Sequence, residues 1–171
     1  MKKNGEQRKR KRISDNVKAG ILRWWIAGMC YFFIGFGTQM GAFQDPVDLV
    51  FFLGVGIGLV TICIYNPIAY AVFDIKRRGE IVNQKYYQRK GWQNAALKLA
   101  EIFKNIFLVA LVYLTYQGIN LLFNQMRGLS MDTVSVPGEP FGFATLYLLY
   151  YQVVMGLKDT IVQAQKGGQN E

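Results

Sequence analysis

The sequence predicts an all-α integral membrane protein with four transmembrane helices, both ends on the cytoplasmic side, and a cytoplasmic amphipathic elbow between helices two and three. Three observations predict it. The 171-residue chain is 51% apolar and only 18% charged, less charged than a soluble domain of this length. Its apolar residues gather in four long uncharged blocks instead of recurring at helix or strand spacing. Nineteen of its twenty Lys and Arg fall in segments that four spans would put on one side.

Residues 1–23 read as a basic cytoplasmic tail, with Lys2, Lys3, Arg8, Lys9, Arg10, Lys11 and Arg12 followed by Lys18 and Arg23. Residues 1–14 hold too little apolar surface to fold by themselves. Trp24–Phe43 is the first span, twenty uncharged residues that reach about 30 Å as a helix, the thickness of a bilayer core. Trp24 and Trp25 stand at its start, where interfacial aromatics belong. A signal peptide is the rival reading, but the block is long for one and no small-residue cleavage site follows it.

A short turn at 44–48 leads to the second span, 49–73, with Pro46 and Asp48 suited to a helix N-terminus. Asn66-Pro67 interrupts this span, and Pro67, lacking an N–H, predicts a bend there. Residues 74–105 form the one large polar stretch, opening with Lys76, Arg77 and Arg78. From Trp92 onward Ala96, Leu99, Phe103 and Ile106 share one face, and Lys98, Glu101 and Asn105 the other. That spacing predicts an amphipathic helix on the membrane surface, its polar face in water, turning up into the third span. The third span is 106–123. An external loop at 124–140 follows, then a short fourth span at 141–157 and a polar tail at 158–171. The membrane domain as a whole is 24–157.

Orientation follows from charge. One side holds nineteen Lys/Arg against seven Asp/Glu, and the other one against four. The positive-inside rule puts the first side in the cytoplasm. The bacterial inner membrane is the expected location.

Small residues four apart mark close helix approach. Gly37 and Gly41 have that spacing in the first span, and Gly54 and Gly58 in the second. Because the pairs flank the 44–48 turn, a tight hairpin of spans one and two is expected ahead of a dimer seam. The run at 54–58 is no nucleotide loop, since it sits inside a span and lacks GxGxxG spacing. In the third span Tyr113, Gln117, Asn120 and Asn124 share one face, bordered by Tyr116. Thr38, Gln39 and Thr145 lie at similar depth. Interhelical hydrogen bonding is expected of these groups, and an outward-open polar cavity is the sharper alternative. Asn66 and Gln152 form a second candidate pair.

Several classes of chemistry find no support. The chain has no His, so the commonest metal ligand and general base is missing. Cys30 and Cys63 lie inside apolar blocks and read as buried thiols. No ionisable residue falls within the four blocks, whereas ion-coupled transporters usually keep one at depth. Arg23 and Asp74 read as interfacial. No cofactor, metal or catalytic residue is expected. The basic residues Arg8 to Arg12 and Lys76 to Arg78 suit anionic lipid of the cytoplasmic leaflet. Nucleic acid is not expected, for no aromatic is interleaved to stack bases. The expected role is a non-catalytic subunit or scaffold of a larger membrane complex, partnered by other subunits or by itself. An oligomeric channel or small-solute transporter lined by the third span is the alternative.

Overall fold

A computed structural model describes residues 14–39, 45–72, 91–128 and 140–167, with side chains omitted at 35–39, 70, 159 and 162–167. Among these residues every regular element is a helix. Helix α1 covers Asp15–Gln39 and α2 Pro46–Val60; a π-helical turn at Thr61–Tyr65 joins α2 to α3, Asn66–Ala71; α4 covers Trp92–Arg127 and α5 Pro140–Gly167. Four stretches are long and apolar enough to cross a membrane: Asp15–Ile34, Pro46–Ala69, Trp92–Arg127 and Pro140–Lys158.

Local chemistry sets the ends. Asp45 caps α2, its carboxylate accepting the Val47 N–H at 2.8 Å, and Pro46 occupies the first turn, where an N–H has no helical partner. Helix α4 begins at Gly91 (φ 66, ψ −126) and ends at Gly128 (φ 64, ψ 26). Both are backbone conformations that favour glycine, and the second closes the last turn in the left-handed manner of helix C-termini.

The helices outrun the expected spans. Helix α1 starts nine residues before Trp24, so residues 15–23 of the expected tail are helical. Helix α5 continues from the fourth block to Gly167. The expected elbow is corrected: residues 92–105 run without a turn into the third span as one helix of 36 residues. Leu99 and Phe103 are exposed on the outside of the bundle, and Lys98 is exposed as expected, but Asn105 is fully buried and the Glu101 side chain is only 13% exposed, so part of the expected polar face turns inward. When the surroundings are apolar, polar groups gain by turning inward to find partners, so an amphipathic pattern alone does not place its polar face in water.

Pro67 acts through the turn before it. The Asn66 N–H reaches back five residues to the Thr61 carbonyl, and Pro67 offers no N–H to the next one. This extra residue keeps one face buried. Leu53, Ile57, Thr61, Tyr65 and Ala69, spaced by four, are all buried. In an uninterrupted α-helix that row would drift about 160° around the axis, and one π turn reduces the drift to about 60°.

The bundle is held by close contact. Helix α2 packs most extensively against α4, and α1 against α5. The main core joins all four long helices through Ala27, Tyr31, Leu53, Leu108, Phe143 and Tyr147, with the Tyr31 and Phe143 rings stacked at 4.5 Å. A second cluster of Ala19, Ile26, Tyr65 and Ala69 closes the α1–α3 end. Gly54 and Gly58 face Ile106 and Ile102 of α4. The hairpin expected of these glycines with span one is therefore corrected: they open α2 to α4, while α1 reaches α2 beside Gly56, whose position lies near Ile34.

Candidate functional site

Where α1, α3, α4 and α5 converge, the bundle buries polar groups. Arg23 projects from the same face of α1 as Ala19 and Ile26 and is 3% exposed. Its guanidinium carbon lies 4.0 Å from the Tyr65 ring centre and 3.8 Å from that of Tyr151. Two aromatic faces thus sandwich a cation, an arrangement favourable by about 2 kcal/mol or more when desolvated. Tyr147 lies beside the same guanidinium. The Tyr147 hydroxyl donates to the Asn105 side-chain oxygen, and Asn105 Nδ2 donates to the Glu101 carbonyl at 2.7 Å. Glu101 pairs with Lys104 at 2.5 Å, and the Lys104 ammonium lies 5.2 Å from the Tyr151 ring centre. Thr61 is buried on the π turn.

This layer corrects two expectations. Arg23 is buried among the helices and not exposed at a helix end, and an ionisable residue does lie inside a membrane-length helix. A guanidinium keeps its charge at any physiological pH, so burial leaves its donors to be satisfied in place. Nε and Nη1 of Arg23 and Oδ1 of Asn66 are buried with no hydrogen-bond partner among the described residues.

The groups singled out in the sequence fall elsewhere. Gln117, Asn120 and Asn124 are half-buried on the C-terminal half of α4, with Asn124 Nδ2 3.5 Å from Asn120 Oδ1. Carrying the Gly54–Ile106 and Gly58–Ile102 register along the antiparallel helices brings Pro46 level with Leu114. The stripe thus stands beyond the end of α2. Thr145 instead accepts from the Trp24 indole at 3.1 Å and donates to the Phe141 carbonyl at 2.8 Å. Near the stripe, Thr115 is 2.5 Å from the Tyr150 hydroxyl. The Asn66–Gln152 pair does not form, since Asn66 is buried and Gln152 is exposed. Cys63, expected buried, is exposed, and Cys30 is half-buried. Gly41, Arg8 to Arg12 and Lys76 to Arg78 lie outside the described residues, as do the surroundings of Gly37 and Gln39.

Two openings accompany this arrangement. A small gap beside Tyr31, Leu53, Val109 and Phe143 holds about 10 Å³, room for one water at most. A lateral groove of about 170 Å³ between α1 and α5 is walled by Trp25, Gly28, Phe32, Phe141 and Ala144 and is almost wholly apolar. Among the described residues no three of His, Cys, Asp or Glu gather to hold a metal.

No family model, curated protein or solved structure matches the chain.

The residues that sequence reasoning missed are Arg23, Tyr65, Asn105, Tyr147 and Tyr151. A signal existed for two of them. Asn105 precedes Leu108, Val109 and Val112 at helical spacing, all buried, and Arg23 follows Ala19 and precedes Ile26 in the same way. Each polar residue belonged to an apolar face.

Proposed function

We propose that this chain is a non-catalytic polytopic membrane protein acting as a subunit or assembly factor of a larger membrane complex. In this reading both termini face the cytoplasm, the membrane is the bacterial inner membrane, and the basic segments touch anionic lipid.

The observation that carries the reading is the distribution of burial along α4. Its buried residues are Asn105, Leu108, Val109 and Val112, all within two turns of a helix of 36 residues. From Tyr113 to Arg127 no residue is buried, and Leu114, Ile119, Leu122, Phe123 and Met126 are exposed. The exposed apolar residues run from Trp92 to Met126, about 51 Å of helix, against about 40–45 Å for a bilayer with its headgroups. Lipid alone accommodates that only by a tilt near the top of the usual range, whereas a second protein packed on the outer half relieves the mismatch. A photo-crosslinking side chain at Leu122 should give adducts with other membrane polypeptides in native membranes, and one at Leu99 should give far fewer. Lipid adducts alone at Leu122 would remove the scaffold reading.

The second reading is an oligomeric channel or small-solute transporter. The observation in its favour is that Tyr113, Gln117, Asn120 and Asn124 run along the same uncovered half of α4. Several copies arranged with this face inward would line a polar path. Solute flux in liposomes made with the purified chain, lost on Gln117→Leu with Asn120→Leu, would favour it.

A further inference from the structure

The buried arginine has needs that its surroundings do not meet. With both faces of the guanidinium covered by Tyr65 and Tyr151, only its in-plane edges remain for binding, and there Nε and Nη1 meet no acceptor. Among the described residues the charge is also unbalanced: Arg23 and Lys104 are two cations about one aromatic ring, and Glu101, the carboxylate whose charge acts on Arg23, pairs with Lys104 at 2.5 Å. Water would satisfy the N–H groups but leave the excess positive charge in a low-dielectric interior, where uncompensated charge is costly. An anion does both.

We propose that Arg23 anchors a binding site for a small anionic group in the layer formed by Tyr65, Glu101, Lys104, Tyr147 and Tyr151. The ligand class is a halide or phosphate-type anion held in the guanidinium plane by charge-assisted hydrogen bonds. Its carrier is either a free inorganic ion or the phosphodiester of a lipid headgroup. Lys104, with 22% of its side chain exposed, marks the side on which the layer meets the outside and where the anion enters. This goes beyond the scaffold reading and does not depend on it.

The test uses the full chain in neutral, phospholipid-free detergent. Thermal unfolding is followed in gluconate, with chloride or inorganic phosphate replacing it in steps, and then in gluconate with added phosphatidylglycerol or, as control, diacylglycerol. A ligand that binds only the folded state raises the midpoint continuously with its concentration, by roughly 5 °C or more for a hundredfold increase past saturation. A rise with chloride or phosphate in the parent protein, absent in Arg23→Met, supports the site with a free ion as ligand. A rise with phosphatidylglycerol alone, again absent in Arg23→Met, supports it with a headgroup as ligand. A parent midpoint indifferent to all of them overturns the proposal, as does the same rise in Arg23→Met. If Arg23→Met does not fold, ³⁵Cl line broadening on the parent protein decides: broadening competed away by inorganic phosphate or phosphatidylglycerol supports the site, and its absence, with no lipid-dependent rise in midpoint, overturns it.

Discussion

Alanine at Gly54 tests the packing argument most directly. A Cβ built there would lie 2.5 Å from the Ile106 Cα, 2.7 Å from its Cγ1 and 2.9 Å from its N. Two of these atoms are backbone, so rotating Ile106 gives no relief and α2 must move off α4. The shortfall is about 0.9 Å from ordinary contact at 3.4 Å, and that gap would spread along the most extensive helix pair in the molecule. Overpacking of this kind costs typically about 1–3 kcal/mol. Alanine's better helix propensity returns about 0.5–1 kcal/mol, leaving a net loss of about 1–2 kcal/mol. At Gly58 the nearest atom is the Ile102 Cα at 3.0 Å, and at Gly118 nothing lies within 4 Å. Gly58→Ala should therefore be close to neutral and Gly118→Ala neutral or slightly stabilising. Ile106→Ala should rescue Gly54→Ala only in part, because the Cα remains. The assay is reversible unfolding in mixed micelles for all variants side by side. If Gly54→Ala matched Gly118→Ala, α2 and α4 would not approach as closely as described here.

Tyr147→Phe should cost about 1–2 kcal/mol in the same assay, since it strips the buried Asn105 oxygen of its donor, and parent-like stability would discount that bond. Under the orientation proposed above, cysteines at Ser130 or Ser135 should react with an impermeant thiol reagent added outside intact cells and one at Ser14 should not, after Cys30 and Cys63 are replaced; equal labelling would end the positive-inside argument. Gln117→Leu with Asn120→Leu should lower stability by about 0.6–2 kcal/mol while assembly survives, and cellular activity should fall only in step. Activity lost at parental stability would move the channel reading ahead of the scaffold.

The four long helices were legible because the apolar blocks near Phe32, Val55, Val112 and Leu149 are uncharged and, even at the short fourth one, of membrane-helix length. Their ends were not, because hydropathy ignores polar residues that a helix can carry, such as Asp15 and Lys18, which pair on its first turn at 2.7 Å. The Gly54–Gly58 spacing was visible in the sequence, but which helix it faces depends on rotation about the α2 axis, and no local pattern reports that. The polar layer was missed for a related reason. Arg23 and Glu101 stand at the borders of apolar blocks, where charge ordinarily means a water interface, and their 78-residue separation hides their proximity. The Gln117 stripe was seen because its members lie on one helix, and the Arg23 layer was not because its members lie on four.

The π turn at Thr61–Tyr65 gives this part of the chain a tolerance of one residue in its length. The turn carries one residue more than an α-helix needs to reach the same angle. Deleting Cys63 alone would let the segment close into an ordinary α-helix with Tyr65 still turned to Arg23 and Ala69 still in the cluster with α1. Deleting a second residue would swing everything after it by about 100° relative to α2, and both side chains would leave their partners although neither had been changed. The stretch thus works as a spacer with one residue to spare, and the arginine stays covered until that residue is gone.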